Sequence, residues 1–137
     1  MKRIPTLSLI ILAALTAIPA IAQGVVLKAD IPFGFTVGDT YLPAGHYTLS
    51  SPSSGIVRVA NEDTNAASTV STVHAFNDPG HSSKLVFEKY GERYFLHHVL
   101  CPTTSMNVDI PEWNGEKKTR AREAKLEHGE QILIAAR

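Results

Sequence analysis

The sequence predicts a mainly β fold: an antiparallel sandwich or partly closed barrel of about seven to nine strands, finished by one C-terminal helix. Three observations predict it. Strand-sized apolar segments recur between short clusters of Gly, Pro, Asn and Asp; Lys84 to Leu100 reads as a tight hairpin; and only Glu116 to His128 has a helical composition.

The chain opens with a segment that the fold does not need. Lys2 and Arg3 form a basic flank, Leu7 to Ile18 is apolar apart from Ser8 and Thr16, and Ala20-Ile21-Ala22 supplies a small-x-small pattern. Together they read as an export signal over residues 1–22, cut before Gln23. An apolar run of about a dozen residues falls short of the roughly 20 that cross a bilayer, and the residue at the cut is Gln23, not a cysteine that would take a lipid anchor. Residues 23–137 are then expected to form a single β-rich domain, periplasmic or extracellular, with no membrane span.

Removing Lys2 and Arg3 leaves 11 of the 13 basic residues against 13 acidic ones. That near balance argues against nucleic acid, whose phosphates demand clustered Lys and Arg. Cys101 is the single cysteine, so no intramolecular disulfide supports the fold. Placed between Leu100 and Pro102, it reads as a small buried hydrophobe at a strand end; a reactive thiol is the other reading.

The first strand runs through Val25 to Ala29 and on past Pro32 into Phe33, Phe35 and Val37. Pro32 cannot donate to a ladder, so the strand is expected to kink or break there, or to lie on an edge. Val37 to Tyr41 and Leu42 to Gly45 read as two tight turns. Tyr47 and Leu49 alternate with Thr48 and Ser50 as a half-buried strand. Ile56 to Ala60 is the next, Ala66 to Phe76 another of small residues, and Asn77-Asp78-Pro79-Gly80 closes it.

In the hairpin, Lys84 to Tyr90 and Arg93 to Leu100 flank only Gly91 and Glu92, which suits a type II′ turn. Regular pleating puts Leu85, Phe87 and Lys89 opposite Val86, Glu88 and Tyr90 on one arm. On the other, Tyr94, Leu96, His98 and Leu100 lie opposite Phe95, His97 and Val99. Large apolar groups on both faces make this hairpin central and covered on both sides. The helix has a thin stripe of Ala121, Ala124 and Leu126, a Glu116 to Arg120 pair at i to i+4, and Gly129 as its stop. Gln131 to Ala136 reads as a last strand.

Two blocks, IPFGFTVGDTYLPAGHYTL from Ile31 to Leu49 and SKLVFEKYGERYFLHHV from Ser83 to Val99, resemble the signatures of an uncharacterised family of small secreted bacterial β-rich proteins. The likeness spans most of the mature chain. It departs from the family pattern in the adjacent His97 and His98 and in a less regular helix. The resemblance implies a shared secreted β fold and supplies no catalytic residues.

Tests for chemistry return little. His97 and His98 are adjacent on a strand and point to opposite faces, so without a bulge they cannot share an ion. His46, His74, His81 and His128 are scattered, and HExxH, His-x-His and thiolate clusters are missing. No G-x-S-x-G elbow or phosphate-cradling glycine loop occurs. Asp30, Glu88, Asp109 and Glu112 are the carboxylates on or near strands, and Glu88 suits a cross-strand ion pair. No catalytic residue, metal or cofactor is therefore assigned. The aromatics are the better opening. Trp113, between Pro111 and Asn114, together with Tyr90, Tyr94 and Phe95 of the hairpin, are the candidate ligand-binding residues, and Phe33, Phe35, Tyr41 and Tyr47 form a second group; the strand aromatics read also as core, whereas Trp113 is expected to be exposed or to cap the barrel end.

The expectation is a non-enzymatic binding or interaction module, its partner a protein, a glycan or a small apolar ligand. A lipocalin-like carrier is the first alternative, favoured by an enclosed apolar cavity. A small hydrolase or metal-dependent enzyme is the second, favoured by histidines or carboxylates converging in three dimensions.

Overall fold

The computed structural model describes residues 26–75, 80–103, 106–123 and 129–137. The export signal, the turn at Asn77 to Pro79 and the end of the helix, with Ala124, Leu126 and His128, lie outside the described residues.

Among the described residues the chain forms eleven strands and one helix: β1 Val26–Ile31, β2 Phe35–Val37, β3 Thr40–Leu42, β4 Gly45–Ser53, β5 Ile56–Asn61, β6 Ala67–Ser71, β7 Val73–His74, β8 Lys84–Tyr90, β9 Arg93–Leu100, β10 Val108–Asp109, α1 Asn114–Glu123 and β11 Glu130–Ala135. The fold is mainly β, as the alternation of side chains requires. The strand count exceeds seven to nine because two expected strands divide, because β3 forms within the stretch read as tight turns, and because β10 is a further short strand. Pro32 breaks the first: β1 belongs to one sheet and β2 to the other. At Thr72 the Ser- and Val-rich segment likewise splits into β6 and β7, on different sheets, and the Thr72 amide donates to the Gly55 carbonyl at 2.8 Å.

One sheet has the order β1-β4-β5-β6; the other runs β11-β8-β9-β10-β7, with β2 pairing antiparallel to β3 and parallel to β9. The sheets meet along one side. Lys28 and Arg137 exchange backbone hydrogen bonds of 2.7 and 3.0 Å, and Ala29 bridges Ala136. The result is a sandwich curled into half a barrel. Among the described residues no helix is long and apolar enough to cross a membrane.

Between the sheets lie Leu27, Ile31, Phe35, Val37, Tyr47, Leu49, Val57, Val59, Leu85, Phe87, Leu96 and Val99, all buried. Phe87 meets Phe33 and Phe35 edge-on, at centroid distances of 5.2 and 5.3 Å. Each such side chain contributes roughly 1.5–3 kcal/mol on leaving water. Tyr47 enters the core with its hydroxyl satisfied, donating to the Pro43 carbonyl at 2.5 Å. Cys101 joins the same core, and Ser83 Oγ donates to its Sγ at 3.2 Å.

The hairpin is central in its sheet, as its two apolar faces demand, and its Gly91 has φ +60°. Its pleating differs from the regular pattern. Val86 faces His98 but Phe87 faces Leu96, so His97 is an extra residue in β9, a β-bulge. Beyond it the faces exchange. Leu85, Phe87, Leu96 and Val99 point into the main core, whereas Val86 and Leu100 join Ala75 in a small cluster on the opposite face. The reading that His97 and His98 point to opposite faces is thereby corrected: their rings lie 6.0 Å apart.

The helix begins at Asn114, two residues before the expected Glu116, and the Lys117 amide donates to the Trp113 carbonyl at 2.9 Å. It packs on the hairpin through Glu116 and Thr119, its buried residues, and Arg93 donates to Thr119 Oγ1 at 3.1 Å. Of the expected stripe only Ala121 is among the described residues, and it is exposed. The expected Glu116 to Arg120 pair is replaced: Arg120 bonds Glu112 at 2.5 Å.

Candidate functional site

A groove of about 660 Å³ lies where three elements converge: the β2–β3 hairpin, the tip of the β8–β9 hairpin and the start of α1. That volume is within the range that holds small ligands, roughly 300–1,000 Å³. The parallel pairing of Thr36 with Phe95 brings the first two elements together.

Glycines let two aromatic rings lie on bare backbone here. A Cβ on Gly34 would fall 2.0 Å from the Tyr41 hydroxyl oxygen. At Gly38, in a turn with φ +61° that favours glycine, a Cβ would come within 3.0 Å of the Trp113 indole nitrogen and 2.9 Å of Val70 Cγ1. Tyr41 is 69% exposed and Trp113 46% exposed, large fractions for residues of this size. Phe35 and Phe95, both buried, line the same groove. Asp39, Glu92, Arg93 and Asn114 supply its polar wall.

Of the four aromatics singled out in the sequence, Trp113, Tyr94 and Phe95 line the groove. Tyr94 is also stacked on Phe33 at 4.0 Å, with Lys89 Nζ 5.7 Å from its ring centroid. Tyr90 stands apart from that lining: it is buried beside Phe95, ring centroids 5.9 Å apart, with Gly129 against its edge. Burial, then the charge of Glu88, raises its pKa above the ordinary 10.0. Tyr41, which the sequence groups with Phe33, Phe35 and Tyr47 for a ligand face or the core, is exposed and lines the groove. The signal that sets it apart is glycine at positions 34 and 38, leaving no side chain beneath the rings.

Glu116 lines the groove as well and belongs to a second constellation. The bulge turns His97 toward the helix, where its Nε2–H donates to Glu116 Oε1. Glu112 approaches from the segment before α1, and the donor atoms of His97, Glu112 and Glu116 all lie within 4.8 Å of one another. Burial pulls the His97 pKa down, but the hydrogen bond and charge of Glu116, with Glu88 and Glu112 beyond, outweigh it and leave the pKa raised. Glu116 is itself buried, only 5% exposed. Glu112 was among the carboxylates noted in the sequence; Glu116 was read as part of a surface helix pair, and the bulge that turns His97 toward it has no sequence signature.

The remaining acids make local pairs. His98 bonds Asp109 at 2.5 Å across the β9–β10 ladder, and His46 bonds Asp30 across β1–β4. Gln131 donates to Glu88 at 3.0 Å. The chain matches no family model, no curated protein and no solved structure.

Proposed function

We propose that the domain is an exported, non-enzymatic binding module that holds a saccharide in the groove between Tyr41 and Trp113. The observation that carries this reading is the pair of exposed aromatic rings in a largely apolar groove with the exposed polar groups Asp39, Glu92, Arg93 and Asn114 at its rim. A pyranose ring has apolar C–H faces and a polar rim. Its faces suit the Tyr and Trp rings, and its hydroxyls suit Asp39, Glu92, Arg93 and Asn114, charge-assisted bonds being the stronger ones. For the carrier alternative, the space between the sheets is occupied by side chains such as Tyr47, Phe35 and Phe87.

Trp113 is the single tryptophan, so indole fluorescence reports on this groove alone. Titration with neutral, acidic and amino-sugar oligosaccharides is expected to give a saturable change with one of these classes. Tyr41→Ala weakens that binding at least about tenfold, or 1.4 kcal/mol. The absence of a saturable response to all three classes, or binding indifferent to Tyr41→Ala, would overturn the reading.

A further inference from the structure

We infer that His97, Glu112 and Glu116 form a binding site for a first-row divalent transition metal, zinc being the best fit, with a coordination position open toward the groove. The inference stands independently of the saccharide reading.

The chemistry of the donors points to this class of ion. One imidazole nitrogen with two carboxylates suits zinc, whereas calcium and magnesium prefer all-oxygen shells of six or more ligands. Three protein ligands leave a fourth position for water or a ligand hydroxyl, and Glu116 is shared between the cluster and the groove. Two carboxylates and a neutral imidazole carry two negative charges, which a divalent ion neutralises. Here His97 hydrogen-bonds Glu116 and the Arg120 guanidinium pairs with Glu112. Arg120 is about half exposed and is held only by a surface ion pair, so it swings aside at small cost.

The geometry lies within reach of side-chain adjustment. Bonds of about 2.0–2.2 Å in a tetrahedron separate neighbouring donors by roughly 3.4 Å, and the donors here span at most 4.8 Å. The ligands sit on supported backbone. Glu116 is in the first turn of α1; His97 is the bulged residue of β9, and its carbonyl accepts from the Ile110 amide at 2.7 Å. That bond ties the histidine to the segment two residues before Glu112. Bulges recur where a strand re-aims a side chain for function.

The test is calorimetric titration of the purified, chelator-treated protein with zinc chloride. One ion per chain is expected, with His97→Ala and Glu112→Gln each weakening binding at least about tenfold. Glu116→Gln is buried and risks the fold, so Glu112→Gln, at a partly exposed position, carries the test, with circular dichroism to verify that it folds. His46→Ala should bind zinc as the parent does, which separates this site from the His46–Asp30 pair. No zinc binding by the parent protein, or binding that survives Glu112→Gln and His97→Ala, would overturn the inference.

Discussion

Gly38→Ala probes the turn that seats Trp113 over the groove. At φ +61° an alanine sits in the left-handed region, which costs roughly 1–2 kcal/mol. Its Cβ would also fall 2.9 Å from Val70 Cγ1 and 3.0 Å from the indole nitrogen, and β-branched Val70 is itself buried in the core. Overpacking of this kind adds about 1–3 kcal/mol. The expected loss is therefore about 2–5 kcal/mol, a large part of the stability of a domain this size. Urea unfolding followed by circular dichroism measures it, and tryptophan emission of the native variant reports displacement of the indole. Gly80→Ala is the comparison: it shares the positive φ, at +69°, but meets nothing within 4 Å, so it should lose only the conformational part. A Gly38→Ala protein within about 1 kcal/mol of the parent, or no less stable than Gly80→Ala, would refute the reasoning.

Further outcomes follow from the core and the surface pairs. Tyr47→Phe removes the hydroxyl that bonds the Pro43 carbonyl and should cost about 1–2 kcal/mol in urea unfolding; an unchanged midpoint would contradict that bond. Cys101 is buried in the core, so a thiol reagent should label it at the rate of unfolding, and immediate labelling of native protein would contradict its placement. The hydrogen bond to Asp30 raises the His46 pKa, its negative charge adding to the effect. The stabilisation is therefore complete below the ordinary value of 6.5 and disappears as pH rises through the higher folded value. In an NMR titration Asp30→Asn should bring the His46 pKa back toward 6.5; an unmoved curve would show that Asp30 is not the cause.

The fold was largely legible because it depends on local alternation. Tyr47 and Leu49, Val57 and Val59, and Leu85 and Phe87 each repeat at the period of a strand and are buried. The break at Pro32 followed from its missing donor. What escaped was non-local or sub-strand in scale. A two-residue strand such as β10 has no periodicity of its own and forms only because β9 and β7 flank it. The extra residue at His97 leaves no sequence trace, yet it exchanges the faces of His98 and Leu100. The same limit governed the sites. Trp113 stood out because a large aromatic lay among turn residues, and Tyr94 and Phe95 because they crowded a hairpin tip. Tyr41 looked like its buried neighbours. Glu112 and Glu116 stand near His97 only after the chain has crossed from β9 through β10 and returned along α1.

The claim that the aromatic groove is where ligand binds meets its most direct test in backbone and indole amide shifts. With the oligosaccharide class that alters Trp113 fluorescence, the largest changes should fall on Gly34, Gly38, Gly115 and the Trp113 side-chain N–H, all bordering one groove. Changes centred instead on Lys28, His46 and Arg137, around the charged cleft at the β1–β11 seam, would contradict it.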